Sequence, residues 1–263
     1  MVDMKQRTIS GIILLIVLIG SLVISSQLFA ILMTGAAVIG FNEFFTVKFG
    51  KNNELNIIKI LGMLLVIFIT LNNIFYKVEL NVLILIPILS LSLPMLLYNN
   101  NKVYNIIDSL FVIGIVYFIG LSFGNIILMR EISMSRCIFI FIISFITDTY
   151  AYIGGSLIGK HKLTEISPKK TIEGSLVGTI MGVVVGSVYY FYVVAGVTVI
   201  ESVLLCLFLT ILSELGDLVF SNIKRNFNIK DYSNLIPGHG GILDRFDSVI
   251  YVSLGLSLIL SIF

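Results

Sequence analysis

The stretch that decides the fold lies near the N-terminus, where residues 8–42 read TISGIILLIVLIGSLVISSQLFAILMTGAAVIGFN and contain no charged side chain. The hydrocarbon core of a bilayer is about 30 Å thick, and one helix of roughly 20 apolar residues crosses it. A run of 35 residues is too long for one such helix and predicts two, separated near residues 25–27. A cleavable signal peptide is the alternative for the first helix, since Lys5 and Arg7 precede it. No small-x-small cleavage site followed by a polar start is visible, however.

The shortage of charge extends along the whole chain. Of its 263 residues, 57% are hydrophobic and only 12% are charged, whereas soluble globular domains carry about 25% charged residues. These numbers exclude a disordered chain, a collagen-like repeat and a disulfide-stapled module. The net charge of +2 is too small for a general nucleic-acid binder. Cys137 and Cys206 lie in apolar runs and are predicted to be buried thiols.

The later apolar runs predict further membrane spans. They lie at approximately residues 57–75, 80–97, 106–129, 137–153, 174–195, 197–220 and 248–263. We therefore predict an all-α integral membrane protein, a polytopic bundle of about nine transmembrane helices. Pro87 and Pro94 should kink the fourth span. An N-terminal region, 1–135, would hold about five spans, and a C-terminal catalytic region, 136–263, would hold about four.

Positive charge predicts the orientation, because cytoplasmic loops retain Lys and Arg. With the N-terminus inside, 14 of the 17 Lys and Arg residues lie on the cytoplasmic side, and Lys77, Arg130 and Arg136 lie outside. Nine spans then put the C-terminus outside and the two large polar loops, 154–173 and 221–247, in the cytoplasm. The sequence thus predicts a multi-pass protein of the cell membrane whose active site faces the cytoplasm.

The charge that remains is concentrated around the second of these loops. Residues 214–247 hold 9 of the 32 charged residues of the chain. Asp217, Ser221 and Lys224 are spaced i, i+4 and i+7, so a continuing helix presents them on one face. Asp244 and Asp247 are spaced i, i+3 at the start of the last helix and share a face as well.

This cluster indicates phosphate chemistry with a metal. Mg²⁺ takes hard oxygen ligands, usually one or two carboxylates plus substrate phosphates. The segment 237–241, PGHGG, offers unhindered backbone N–H groups just before a helix N-terminus, which favours phosphate. Taken singly, each feature has a simpler interpretation. The basic residues are then membrane-surface anchors, the glycines form a tight turn, and the aspartates favour a helix N-terminus.

Residues 221–247, SNIKRNFNIKDYSNLIPGHGGILDRFD, also resemble the signature of the phosphatidate cytidylyltransferases, the CDP-diacylglycerol synthases. Every fixed position of that signature is matched. The matched positions are Ser221, Lys224, Arg225, Lys230, Asp231, Ser233, Ile236, Pro237, His239, Gly240, Gly241, Asp244, Arg245 and Asp247. The segments 148–152 (DTYAY), 159–163 (GKHKL) and 167–171 (SPKKT), with Glu173 and Gly174, extend the resemblance upstream, so that it covers roughly residues 145–250.

The resemblance implies transfer of a cytidylyl group from CTP to phosphatidic acid, a membrane lipid. The cofactor would be Mg²⁺ in one or two sites, with potassium left open as the second ion. The predicted catalytic residues are Asp217, Ser221, Lys224, Arg225, Asp244 and Arg245. Asp217 and Asp244 would hold the metal, with Asp247 a further candidate ligand, and the basic residues of the set would contact phosphate.

A second group is predicted to bind the substrates. Its members are Asp148, Lys169, Lys170, Thr171, Lys230, Asp231, His239, Gly240 and Gly241. A phosphate monoester is already largely ionised near pH 7, because its second pKa is about 6, so His239 is assigned to loop architecture or nucleotide contact. Asp148 is either a functional intramembrane carboxylate or a partner of a lysine such as Lys169.

Two positions depart from the family pattern, and two alternative functions are considered. Ser156 stands where the family usually has a basic residue, and Ile172 stands where it often has Trp. The alternative from another class is a cation-coupled transporter with an ion path through Asp148, Glu201, Glu214 and Asp217. A CDP-alcohol phosphotransferase would need a D-x-x-D-G-x-x-A-R run, which is absent.

The oligomeric state is also left open by the sequence. Gly178 and Gly182 have the small-xxx-small spacing that is found at helix contacts in membranes. A homodimer is therefore a further, uncommitted expectation.

Overall fold

The computed structural model describes residues 4–50, 52–97, 103–194 and 196–262. The α-helices within these ranges are α1 (Met4–Ile24), α2 (Ser26–Phe49), α3 (Asn56–Leu71), α4 (Leu80–Ser92), α5 (Pro94–Leu97), α6 (Ile106–Ile132), α7 (Met134–Ile158), α8 (Ile172–Val193), α9 (Val199–Asn226) and α10 (Leu243–Ile262). A 3₁₀ turn at Asn53–Leu55 and a π turn at Asn72–Tyr76 flank α3. The described residues contain isolated β-bridges but no strand.

Among the described residues, seven helices are long and apolar enough to cross a membrane. They are α2, α3 with its 3₁₀ turn, and α6 to α10. The two remaining predicted spans fall on shorter apolar stretches, Thr8–Ile24 and Leu80–Leu96. A 17-residue helix reaches about 26 Å, slightly less than the hydrocarbon core. All nine predicted spans thus coincide with helices, and the all-α polytopic fold is confirmed.

The helix ends differ from the predicted span ends where polar residues continue a helix. α2 runs to Phe49 rather than to residue 42, α9 runs to Asn226 rather than to residue 220, and α10 begins at Leu243 rather than at residue 248. Hydropathy reports which part of a helix lies in lipid and not where its backbone hydrogen bonds stop. The kink predicted at Pro94 appears in the structure as a break between two helices. α4 ends at Ser92, and a new short helix begins at Pro94.

The chain forms two compact units, and each consists of two separate segments of the sequence. The first comprises Met1–Leu128 and Tyr232–Leu243, and the second comprises Met129–Asp231 and Asp244–Phe263. These units are groups of residues that pack together, which is a different criterion from the predicted division by function. The division into regions 1–135 and 136–263 stays a prediction.

In the first unit, two glycines leave space for side chains of neighbouring helices. Phe41 is fully buried against Gly62 of α3, where a Cβ atom would overlap its ring. Gly120 of α6 lies against Ile69 of α3 in the same way. Glycine removes the side chain that would keep two helices apart, so α3 packs closely against both α2 and α6.

In the second unit, a stripe of glycines on α8 brings three helices together. Gly174, Gly178, Gly182 and Gly186 are all buried. A Cβ atom at Gly178 would lie 2.7 Å from the carbonyl oxygen of Thr147 on α7, and one at Gly182 would lie 2.5 Å from Thr210 on α9. These glycines therefore contact helices α7 and α9 of the same chain. Their spacing gives no support to a homodimer, which stays a prediction.

The two cysteines also belong to the second unit. Cys137 and Cys206 are free thiols and are fully buried, on α7 and α9. The prediction of buried thiols is confirmed.

Candidate active site

The loop between α7 and α8 is tied down by the first acidic residue of α8. The carboxylate of Glu173 accepts hydrogen bonds from the backbone N–H groups of Lys160 (3.0 Å) and His161 (3.2 Å), and it contacts His161 Nδ1 at 2.6 Å. A β-bridge between Lys162 and Thr171 closes the loop. The hydroxyl of Thr171 accepts from the N–H of Gly174 at 3.1 Å and caps α8. The loop therefore has a defined shape that fixes the lysines preceding Thr171.

Lys170 of this loop reaches the first predicted metal ligand. Its Nζ lies 2.6 Å from Oδ2 of Asp217 on α9, and each side chain is about one quarter exposed, at 25% and 27%. Ser221, one turn further along α9, donates to Oδ1 of Asp217 at 3.3 Å. The i, i+4 relation predicted for Asp217 and Ser221 thus appears as a hydrogen bond on one helix face.

Lys224 and Asp244 form a second ion pair at the start of α10. Lys224 Nζ donates to Asp244 Oδ1 at 2.8 Å, and the Asp244 side chain is only 2% exposed. Removing two charges from water costs free energy that their attraction rarely exceeds, so such a pair is weak evidence for a purely stabilising role. Both residues belong to the predicted catalytic set, and their role in the reaction stays a prediction.

Two further carboxylates meet at Ser248 of α10. Asp148 Oδ2 accepts from the Ser248 hydroxyl at 2.8 Å, while Asp247 Oδ1 accepts from the Ser248 backbone N–H at 2.9 Å. Asp247 lies close enough to both Asp148 and Asp217 to interact with them electrostatically. A lysine such as Lys169 was the predicted partner of Asp148, but the hydrogen bond identified at Asp148 comes from Ser248.

Glu214 lies one turn before Asp217 on α9 and was not among the predicted site residues. Ser175 and Thr179 of α8 donate their hydroxyl protons to its two oxygens, the second at 3.1 Å. The spacing i, i+3 from Asp217 is the sequence signal that could have identified it. Ser175, Thr179 and Ser248 carried no comparable signal, since an isolated hydroxyl in an apolar helix is common.

Some of these groups line a cavity of about 340 Å³ in the second unit. Its lining combines the end of α7, the loop, the start of α8 and the middle of α9. The lining residues are Asp148, Ala151, Tyr152, Gly155, Ser156, Leu163, Lys169, Lys170, Thr171, Ser175, Glu214 and Asp217. Five predicted site residues therefore share one cavity, namely Asp148, Lys169, Lys170, Thr171 and Asp217.

The exposed basic residues of the predicted set lie at helix ends or in the following loop. Arg225 Nη1 donates to the carbonyl of Ile229 at 3.3 Å. Arg225, Lys230, Asp231 and Arg245 are all exposed, and none of them lines the cavity. The predicted phosphate contacts of Arg225 and Arg245 and the predicted substrate binding by Lys230 and Asp231 therefore stay predictions.

The glycine-rich segment belongs to the first unit and forms a tight turn. Gly238 and Gly240 have φ angles of 76° and 82°, a region that L-residues with a side chain rarely adopt. The N–H groups of His239 and Gly240 donate to the carbonyl of Ile236. The Ser10 hydroxyl donates to the carbonyl of Pro237 at 2.9 Å and lies 2.9 Å from His239 Nδ1. The His239 side chain therefore contacts α1, and its assignment to loop architecture or nucleotide contact stays a prediction.

The predicted metal ligands fit a hard cation by their chemistry. No group of three or more His, Cys, Asp or Glu side chains arranged for a metal ion occurs in the described part of the chain. Asp217, Asp244 and Asp247 thus do not form a ready protein cage. Mg²⁺ usually binds through one or two carboxylates together with substrate phosphates, and the carboxylates here suit that mode.

Two residues of the open transporter interpretation have other roles. Glu201 forms a capping box with Thr198, whose N–H donates to Glu201 Oε2 at 2.7 Å at the start of α9. Glu214 is held by two hydroxyl groups of α8, as described above. The Glu201 carboxylate is therefore engaged in capping α9, which does not support an ion path through this residue.

The fold and the site together define a polytopic membrane protein with two Lys–Asp pairs, one of which, Lys170–Asp217, lines a cavity. The model of the cytidylyltransferase family matches residues 5–263, and the chain belongs to this family. The chain is similar to the phosphatidate cytidylyltransferases of Staphylococcus haemolyticus, at 34% identity over 98% of this chain and 99% of that protein. It is also similar to that of Bacillus subtilis, at 31% identity over the full length of both chains.

Proposed function

We propose that the protein is a phosphatidate cytidylyltransferase that converts CTP and phosphatidic acid into CDP-diacylglycerol and pyrophosphate. The proposal rests on one observation above all. Two Lys–Asp pairs, Lys170–Asp217 and Lys224–Asp244, are gathered on α9 and its neighbours in a chain that matches relatives of that name along nearly its whole length.

The reaction is an in-line displacement at phosphorus. An oxygen of the lipid phosphate forms a bond to the α-phosphorus of CTP, and the bond to the bridging oxygen of pyrophosphate breaks. The attacking phosphate is already largely ionised at neutral pH. No strong general base is needed, which agrees with the structural place of His239. The site has to bring two anions together and neutralise their charge.

The lysines and arginines supply that neutralisation from the protein side. Lys170 and Lys224 already lie within 3 Å of the carboxylates Asp217 and Asp244. Charge-assisted donors of this kind bind phosphate oxygens strongly. We assign Lys169, Lys170 and Thr171 to the lipid phosphate or CTP, and Lys224, Arg225 and Arg245 to the nucleotide phosphates.

Magnesium would be held by Asp217 and Asp244, with Asp247 as a further ligand. When bound, it would supply positive charge that polarises the phosphate groups of CTP. A second ion, magnesium or potassium, is part of the same proposal. Asp148 and Glu214 add negative charge beside Asp217 and favour a cation there.

The proposed orientation places this chemistry at the cytoplasmic face. The distribution of 14 basic residues against 3 puts the N-terminus and the loops 154–173 and 221–247 inside and the C-terminus outside. CTP is then supplied from the cytoplasm, and phosphatidic acid reaches the site from the bilayer.

Replacing the predicted metal ligands tests the proposal. Purified protein in detergent should form a labelled CDP-lipid from labelled CTP, dioleoyl phosphatidic acid and Mg²⁺. Asp217→Asn and Asp244→Asn should each lower kcat/KM by at least ~100-fold, because each removes a carboxylate that would hold the metal, and the metal would neutralise charge on the phosphates. Glu131→Gln, the same chemical change at an exposed position of α6, should leave the rate unchanged.

The outcome against the proposal is a well-folded wild-type protein that makes no CDP-lipid with or without added metal. Equal activity of the wild type and both aspartate variants would instead leave the reaction in place and remove these residues from it.

A further inference from the structure

A buried carboxylate of the first unit holds the glycine-rich segment, and the reaction outlined above does not use it. Glu43 of α2 is only 3% exposed. Its Oε1 accepts hydrogen bonds from the Ser233 hydroxyl at 2.6 Å and from the N–H of Ile242 at 2.9 Å, and its Oε2 accepts from the N–H of Leu243 at 2.9 Å. One side chain thus spans the segment from its beginning to its end.

The sequence explains why α10 needs this outside acceptor. The first N–H groups of a helix have no partner within the helix and are usually satisfied by a polar side chain just before it. α10 begins at Leu243, and the two residues before it, Gly241 and Ile242, have no side-chain oxygen. Glu43 supplies the acceptor from another helix, and its negative charge suits the positive end of the helix dipole.

Gly241 is the second half of this arrangement. A Cβ atom at Gly241 would overlap the carboxylate of Glu43. Only glycine allows the backbone to come this close to the carboxylate. The contact with Glu43 therefore requires glycine at position 241, whether or not a phosphate also binds to this segment.

Burying a carboxylate costs free energy unless hydrogen bonds compensate it. Capping a helix could be done at lower cost by a neutral side chain, so capping alone does not explain a buried carboxylate in an apolar helix. Asp244 is the residue directly after Leu243, and the hydrogen bond at Leu243 therefore fixes where the helix that carries Asp244 begins.

On the basis of the proposed function, we infer that Glu43 is a positioning residue. Its carboxylate sets the PGHGG turn and the first turn of α10 for binding of metal and CTP. Outer residues that orient a metal ligand typically contribute 10- to 100-fold to metal affinity or activity. The side chain itself need not touch either substrate.

Glu43→Gln separates positioning from simple stability. Glutamine keeps the size of the side chain but turns one acceptor oxygen into an NH₂ group that faces a backbone N–H. Glu79→Gln, at an exposed position before α4, is the matched control. We expect Glu43→Gln to raise the half-saturating Mg²⁺ concentration or lower kcat by ~10- to 100-fold, with the control unchanged.

A second measurement needs neither metal nor substrate. Amide hydrogen exchange of the peptide that contains Ile242 and Leu243 should be at least ~10-fold faster in Glu43→Gln than in the wild type and Glu79→Gln, because the acceptors of these N–H groups are weakened. Ser233→Ala, which removes one donor and leaves the backbone contacts, should show a smaller shift in the same direction and serves if Glu43→Gln folds poorly.

Faster exchange together with the kinetic change supports the inference. Faster exchange with unchanged kcat and Mg²⁺ dependence overturns it, since Glu43 would then be only a helix cap. Unchanged exchange overturns it as well. A wild-type protein without any activity would contradict the proposed function, while the exchange experiment would still decide whether Glu43 holds the segment.

Discussion

At the scale of single residues, the two Lys–Asp pairs differ in burial and should therefore differ in what they contribute. Lys170 and Asp217 are each about one quarter exposed, at 25% and 27%. Lys224 and Asp244 are 13% and 2% exposed. Exposed pairs contribute little to stability, whereas removing one partner of a buried pair is strongly destabilising.

Lys224→Met should therefore lower the free energy of unfolding by about 3–5 kcal/mol, because the buried Asp244 loses its lysine. The double variant Lys224→Met/Asp244→Asn should recover most of that loss, since the amide carries no charge. Unfolding can be followed with a thiol-reactive dye, because Cys137 and Cys206 are fully buried and free in the folded protein. A double variant as unstable as the single one would contradict this explanation.

Lys170→Met should have the opposite profile. We expect a change of less than ~1 kcal/mol in stability but a fall in kcat/KM of at least ~10-fold, because a charge-assisted donor to phosphate is lost. The same dye assay and the labelled-CTP assay measure both effects. A large loss of stability with unchanged activity would assign Lys170 to the fold instead.

At the scale of helices, the glycine stripe of α8 is what brings the loop lysines to α9. A Cβ atom at Gly182 would lie 2.5 Å from both Thr147 and Thr210. Gly182→Ala should therefore cost about 1–3 kcal/mol by overpacking. Gly35→Ala in α2 is the control, because no atom lies within 4 Å of the added methyl group. It should be neutral or slightly stabilising, since alanine is the better helix former. Equal effects would mean that α7, α8 and α9 can move apart freely.

The sequence could predict most of the helices but only part of the site. Apolar runs report burial in lipid directly, so helices were found at all nine predicted spans, and seven of the described helices are long and apolar enough to cross a membrane. The helices α2, α9 and α10 extend beyond the predicted span ends, because polar residues such as Glu43 continue a helix past its apolar run. Fixed spacings on one helix, as for Asp217 and Ser221, could be read from the chain. Contacts between distant helices could not, and Glu43 with Leu243 is the clearest example.

At the scale of the whole molecule, the unequal distribution of basic residues makes a definite prediction about orientation. Glu79 lies in an exposed turn between α3 and α4, and Asn234 lies in an exposed part of the loop before α10. With the N-terminus inside, an odd number of spans precedes residue 79 and an even number precedes residue 234. The first should face outward and the second inward.

Single cysteines at these two positions test the orientation with little background, because the native cysteines are buried. In sealed cells, a membrane-impermeant maleimide should label Glu79→Cys, and it should label Asn234→Cys only after permeabilisation. A tag after residue 263 should likewise be reachable from outside. The reversed pattern would place the Lys–Asp pairs opposite the cytoplasmic supply of CTP and would contradict the proposed reaction. Labelling of both positions in sealed cells would mean that the number of spans between them is wrong, since an odd number must separate two sites on opposite faces.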